Sequence, residues 1–258
     1  MTLPGSTKKI LFKGLCLLGA LLVAIYTVTV VAFQGHTAPQ PVVNSVGVTL
    51  PPDAAALEHQ SLAVFELDNR YMDRAVSSYQ KVFGFAIVNE PLTRVDRNFN
   101  LLPAAATHWE VLDDKLTWVF HLQKDLIFQD GRPVTAYDYE STMHRHADPK
   151  TGFDYEWYYR PIKNWGEVIA GELPVDSVGA KALDEHTLAI TTGQPVPYLP
   201  ELMTYSWVTP KHLFEKYGPA WSTRPETLLS NGPYRLKEWR KADQIILEPN
   251  PHYRGPNK

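Results

Sequence analysis

The run "LTWVFHLQKDLIFQDGRPVTAYDYE", Leu116 to Glu140, holds a strand, a tight turn and a helix start in quick succession. Leu116, Trp118, Phe120 and Leu122 alternate with Thr117, Val119 and His121, the period-two pattern of a strand with one buried face. Asp130-Gly131 then marks a turn, because glycine accepts a positive φ that other residues resist. Thr135 and Asp138 have the spacing of a capping box, in which each residue satisfies a backbone amide at the helix start. The acid there also favours the positive end of the helix dipole. A helix over roughly 136–146 is predicted to follow. The four carboxylates of the run thereby acquire structural work: Asp130 in the turn, Asp138 in the cap, and Asp125 and Glu140 in solvent. The run braces a fold and has the look of no catalytic centre.

Composition widens that reading. The 258 residues are 44% hydrophobic and 21% charged, enough to build a core in one large domain or two small ones. The net charge of −3 and the absence of a Lys/Arg block exclude a nucleic-acid surface. Twenty-one prolines against 15 glycines favour an α+β chain with long, extended connections over a helical bundle.

The N-terminus differs in kind. Lys8, Lys9 and Lys13 precede an uncharged run from Gly14 to Phe33. At about 1.5 Å per residue such a helix crosses a hydrocarbon core of about 30 Å. Lysines on its N-terminal side keep that end cytoplasmic and export the rest. Residues 1–33 are therefore read either as an uncleaved membrane anchor or as a signal peptide, with Val30-Val31-Ala32 offering cleavage after Ala32. The lone cysteine, Cys16, lies inside this run, so the exported body has no disulfide and no thiol-based metal or redox site.

Residues 34–56, rich in Pro, Gly and Val, read as a linker. The following stretch combines a strand-like piece, Leu62 to Leu67, with a helix near 71–84. Beyond the opening run, residues 149–165 concentrate Phe153, Tyr155, Trp157, Tyr158, Tyr159 and Trp165 without a clean period. Gly152 and Pro161 punctuate them, which places them on a loop. Such rings either cover the core or meet a ligand. "AKALDEHTLAITT" gives two strands around the turn Asp184-Glu185-His186, "YLPELMTYSWVTPKHLFEKYG" runs helical, extended, helical, and "YRLKEWRKADQIILEPN" forms a closing hairpin.

No nucleophile elbow, P-loop, dinucleotide fingerprint or H-E-x-x-H is present. His144, His146 and Asp148 in "MHRHADP" are the one group that invites a metal. Residues two apart on a helix face different ways, so the two histidines would share an ion only past the helix end. The blander reading is a solvent-facing helix terminus. No catalytic residue, metal or cofactor is expected.

With strand, turn, cap, aromatic stretch and hairpin in this order, residues 87–255 resemble the N-terminal part of the bacterial extracellular solute-binding proteins of family 5. The resemblance is strongest to oligopeptide-binding members that serve ABC importers. It is carried by "LLPAAATHWEV", the opening run, "PVPYLPELM", "VTPKHLFEKYGPAW" and "NGPYRLKEW" with "IILEPNPHY". It implies a periplasmic binding protein of type II-like clamshell architecture, an α/β clamshell. Residues 57–258 would be a partial family domain. Within it, 89–211 would form the extra subdomain, and 57–88 and 212–258 parts of the hinge-bearing lobe. The second lobe, which carries the acid for a peptide's α-amino group, has no counterpart here. The resemblance also implies an oligopeptide ligand, permease partners in the inner membrane and a periplasmic location. Tyr155, in "GFDY", falls where a family tyrosine contacts bound peptide, and Trp157 and Tyr158 are the further ligand-binding candidates. One departure stands out: the "S-L-D-P" segment usual after the first strand is not recognisable in "ELDNRYMDRA". A nickel chelate, a murein peptide or a sugar as ligand, or a membrane-anchored sensing module, are the other readings the family allows.

Overall fold

The computed structural model describes residues 43, 49–50, 61–63, 71–77, 85–96 and 98–255. The chain divides into a unit of residues 1–62 and one of residues 63–258. The expectations for residues 1–33, for most of the linker and for the strand piece beyond residue 63 lie outside the described residues. Among the described residues no helix is long and apolar enough to cross a membrane. Of the helix expected near 71–84, α1 (Arg74–Ser77) is described, and α2 (Phe85–Val88) follows.

A short hairpin comes next, β1 (Thr93–Val95) against β2 (Leu101–Pro103). The core sheet is built from β3 (Ala106–Val111) and β4 (Thr117–Leu122), joined later by β5 (Ala180–Asp184) and β6 (Thr187–Thr191). All pairs are antiparallel and the order is β3-β4-β6-β5. The opening run thus supplies a central strand. Phe120 and Leu122 are buried on one face as the alternation predicts, but Val119 on the other face is also buried, at 6% exposure. It sits in mid-sheet between Glu110 and Ala189, the cross-strand neighbours that flank it on that face.

Helix α3 (Ala136–Ala147) lies across β5 and β6 and buries Ala136, Tyr139, Met143 and Ala147, the three-and-four spacing of one helix face. Its cap forms as read: the Asp138 carboxylate accepts from the Thr135 N–H and from the Thr135 hydroxyl, both at 2.9 Å. Burial nevertheless raises the pKa of Asp138, against the lowering effect of those bonds. Gly131 has φ +85°, as the turn requires. The solvent role expected of Glu140 is corrected. Its side chain is 14% exposed, accepts from the Ala182 N–H at 3.1 Å and pairs with Lys181 at 3.6 Å. The cause is topological: β5 is an edge strand, and Glu140 satisfies an amide that no further strand reaches.

The aromatic stretch is less loop-like than its sequence suggests. Glu156–Tyr159 form a 3-10 turn and Trp165–Ile169 form helix α4. Helices α5 (Leu199–Leu202) and α6 (Lys211–Tyr217) lead to the closing hairpin of β7 (Tyr234–Arg240) and β8 (Gln244–Pro249). Just before β7, Gly232 passes so close to the end of α2 that an added Cβ would lie 2.6 Å from the Val88 carbonyl carbon. No larger residue fits without moving one of the two backbones.

Two buried acids tie these pieces together. Asp73 accepts both terminal nitrogens of Arg145 (3.0 and 2.6 Å), the Trp221 indole N–H (2.9 Å) and the Ala75 amide (3.0 Å). Asp73 and Arg145 are 1% and 8% exposed, and Phe214 covers the Arg145 guanidinium at 3.8 Å. Removing one member of such a pair strands a buried charge. Asp73→Ala should therefore lose about 3–5 kcal/mol in urea unfolding. Adding Arg145→Met to that variant should cost much less than Arg145→Met does alone.

Glu90 is the second. Its Oε2 accepts from the Tyr253 hydroxyl at 3.0 Å, and its backbone N–H donates to the Asn231 side chain at 3.0 Å. Its Oε1 is buried with no hydrogen-bond partner among the described residues. Burial pushes the Glu90 carboxyl from its ordinary 4.5 up to about 7, against the lowering effects of the Tyr253 bond and the Arg94 charge. Between those values the folded chain holds a proton that the unfolded chain has released. The stability from this group is thus fully present below pH ~4.5 and is lost as pH rises through about 7. The span amounts to about 3 kcal/mol. Thermal unfolding from pH 5 to 8 should show this loss, and Glu90→Gln should flatten the profile.

Candidate functional site

After α3 the chain turns through Gly152, at φ +64°, into the aromatic stretch. Three of its rings go inward. Phe153 stacks on His146 at 4.3 Å, Tyr159 lies 6.1 Å from Phe153, and Trp165 lies 5.1 Å from Tyr159. The Tyr159 hydroxyl donates to the Tyr205 carbonyl at 2.7 Å, and burial raises its pKa above the ordinary tyrosine range. These rings anchor the turn; of the others, Tyr155 and Tyr158 pack partly buried against the same core and Trp157 faces solvent.

Tyr155, Trp157 and Tyr158 are the three ligand candidates. The 3-10 turn, with its period of three, puts Tyr155 and Tyr158 on one side. Tyr155 and Trp157 are 5.3 Å apart, and Trp157 meets Tyr158 edge-on at 5.9 Å. Trp157 is 52% exposed, while Tyr155 and Tyr158 are half-buried. An i,i+4 pair between Glu156 and Arg160 at 2.8 Å spans the turn on its outer side.

Two rings from elsewhere extend this group. Tyr158 contacts Tyr205 at 4.9 Å, and Tyr205 meets Trp207 edge-on at 5.2 Å. Tyr205 is 38% exposed and Trp207 8%. Between them Ser206 points the other way, accepting from the Leu92 amide at 2.9 Å and donating to the Met203 carbonyl at 2.5 Å. Tyr205 closes a single 3-10 turn, Met203–Tyr205, and Ser206 follows at φ −84° and ψ 46°, so no period in "MTYSWVT" marked this pair. Beneath the rings lies the Arg74 guanidinium, 4.2 Å from the Trp207 ring centre, 4.8 Å from Tyr205 and 5.4 Å from Tyr155. Burial lowers the Arg74 pKa, and the surrounding tyrosines oppose that shift. No sequence signal marked Arg74. The result is a continuous aromatic shelf with a cation at its base. It offers flat apolar area, phenolic hydroxyls and one positive charge.

The histidines suspected of holding a metal serve other ends. His146 is buried against Phe153, and burial holds its imidazole neutral, well below its ordinary pKa. The solvent-facing terminus expected there is thus corrected, because α3 turns this face onto the aromatic cluster. His144 donates to the Ala180 carbonyl at 3.2 Å. Among the described residues no three His, Cys, Asp or Glu side chains are grouped to hold a metal ion. Asp130 accepts from the Arg132 amide in its own turn at 3.1 Å, and Asp125 is exposed.

The chain is similar to known proteins over much of its length. The model of the bacterial extracellular solute-binding proteins, family 5 Middle, matches residues 100–258. The periplasmic oligopeptide-binding protein OppA of Salmonella typhimurium is 42% identical over 155 residues, covering 58% of this chain and 28% of OppA. A probable deoxycholate-binding periplasmic protein of Escherichia coli, YgiS, is 36% identical over 171 residues, covering 64% of this chain and 31% of YgiS. Among solved structures, Haemophilus influenzae OppA in complex with RPPGFSPFR superposes with a TM-score of 0.62 at 33% identity. That match covers 65% of this chain and 33% of the OppA chain. The chain spans about a third of the length of these relatives. Its strand order, aromatic stretch and closing hairpin all fall within matched regions, and the chain belongs to the bacterial extracellular solute-binding proteins of family 5.

Proposed function

We propose that the aromatic shelf is a peptide-binding surface, and that the chain is part of the substrate-binding component of an ABC-type oligopeptide importer acting in the periplasm. The observation that carries this reading is the gathering of Tyr155, Trp157 and Tyr158 with Tyr205 and Trp207 into one partly exposed surface. Aromatic faces suit ligands of varied sequence, because they supply contact area without demanding particular donors. Peptide-binding relatives at up to 42% identity support the ligand class. On this reading Tyr155 is a peptide contact through its hydroxyl, and Trp157 and Tyr158 supply flat area. Permease subunits would be the partners, and residues 1–33 would direct export or anchor the chain.

We further assign residues 89–211 to an extra subdomain and residues 57–88 and 212–258 to a hinge-bearing lobe. Two hydrophobic clusters, with Leu213 packed against both, support this division. The larger is built on Phe120, Tyr139, Leu188 and Ile190, and the smaller on Met72, Trp221, Leu228 and Leu236.

Titration with mixed tri- to pentapeptides, followed by calorimetry, tests the reading. Saturable binding is expected, at least tenfold weaker (about 1.4 kcal/mol) than in a full-length homologue, whose larger surface encloses more of the ligand. Tyr155→Phe should weaken it by a further 0.5–1.5 kcal/mol, about the value of one hydrogen bond. Absence of saturable binding would remove the shelf from consideration, and an unchanged affinity would remove Tyr155 alone.

A further inference from the structure

The rings of the shelf come from two stretches of chain. Tyr155, Trp157 and Tyr158 lie in the segment after α3, and Tyr205 and Trp207 follow α5. From Tyr155 to Tyr205, ring contact runs through Trp157 and Tyr158, at 5.3, 5.9 and 4.9 Å in turn. Trp157 is 52% exposed and rides on a single 3-10 turn, a unit too short to hold its own geometry. The spacing between Tyr155 and the Tyr205–Trp207 pair is thus relayed through an exposed intermediary.

Arg74 spans the same gap directly. Its guanidinium carbon lies 5.4 Å from the Tyr155 ring centre, 4.8 Å from Tyr205 and 4.2 Å from Trp207, so one side chain meets rings of both stretches. The backbone that launches it is fixed on either side. Met72, Asp73 and Ala75 are buried, the Met72 amide donates to the Ser222 carbonyl at 3.1 Å, and Asp73 accepts from Arg145 and Trp221. An arginine stem packs along apolar surface while the flat guanidinium lies against rings. Each such contact is modest, but rings that share one cation cannot shift independently.

We infer that Arg74 is a positioning residue, which holds Tyr155, Tyr205 and Trp207 at a fixed spacing before any ligand arrives. It acts through the rings and needs no contact of its own with the ligand. Its effect on affinity rests on the peptide-binding reading of the shelf. Side chains that are already ordered lose no rotamer freedom on binding, whereas loose ones lose it then and weaken the complex.

Fluorine NMR of the full 258-residue chain, labelled with fluorotryptophan, reads this order. Of the seven tryptophans, Trp207 lies against Arg74, and Trp221 donates to Asp73 and so reports on the adjacent anchor. In Arg74→Met, which keeps a flexible stem and loses the planar cation, the Trp207 signal should broaden or split while Trp221 stays sharp and in place. Adding Ala-Phe-Phe-Ala, a peptide without a charged side chain, should sharpen Trp207 again. Calorimetry should then give an affinity about tenfold below that of the unmodified chain. Arg74→Lys, a charge without the plane, should fall between the two in both readouts. A Trp207 signal as sharp in free Arg74→Met as in the unmodified chain overturns the positioning role. So does a Trp221 signal that moves along with Trp207 in both variants, which would make Arg74 a folding residue only. Failure of the peptide to bind the unmodified chain overturns the peptide reading instead, and the free chain's Trp207 signal still decides the ordering.

Discussion

The buried pair of Asp73 and Arg145 is the constraint from which the site follows. It joins residues 72 positions apart, one at the start of α1 and one inside α3, and it does so with little water present. Such a pair tolerates no slack, because either charge alone in the interior is strongly unfavourable. Once Asp73 is fixed, the next side chain, Arg74, has little choice of direction. It leaves α1 towards the rings, and the shelf acquires its cation as a by-product of an anchor. Trp221 joins the same carboxylate from the C-terminal part of the chain, so one acid registers three distant segments.

Much of the frame was legible in the amino-acid order because it obeys local rules. The strand at 117–122, the Asp130-Gly131 turn, the Thr135–Asp138 cap and the 180–191 hairpin each depend on residues a few positions apart. What stayed hidden depends on distant partners. Glu140 has the spacing of a solvent residue on α3, and it is the edge of β5, forty residues on, that engages it. Arg74 sits in a stretch where the expected family segment could not be recognised, and nothing local shows that Tyr155, Tyr205 and Trp207 converge on it. The 3-10 turn at 156–159 escaped notice for a different reason: a single turn is too short to establish a period.

On the proposed reading, the shelf contributes to recognition in two ways. Aromatic area attracts through contact and desolvation, and it tolerates many side chains. A guanidinium packed among the rings fixes their spacing, so that the area is ordered before a ligand arrives.

The order in which the sheet is assembled carries a last implication. Strands β4 and β6 lie side by side, yet α3, the aromatic turn and β5 are all threaded between them in the chain, so Val119 must find Ala189. Closing so long a loop is slow compared with forming a helix or a hairpin. Tyr205 and Trp207 come later still along the polypeptide. During synthesis a ribosome therefore releases Tyr155 and Trp157 well before the partners that complete their surface. The aromatic surface is thus completed late, only when Tyr205 and Trp207 reach the rings that precede them in the chain.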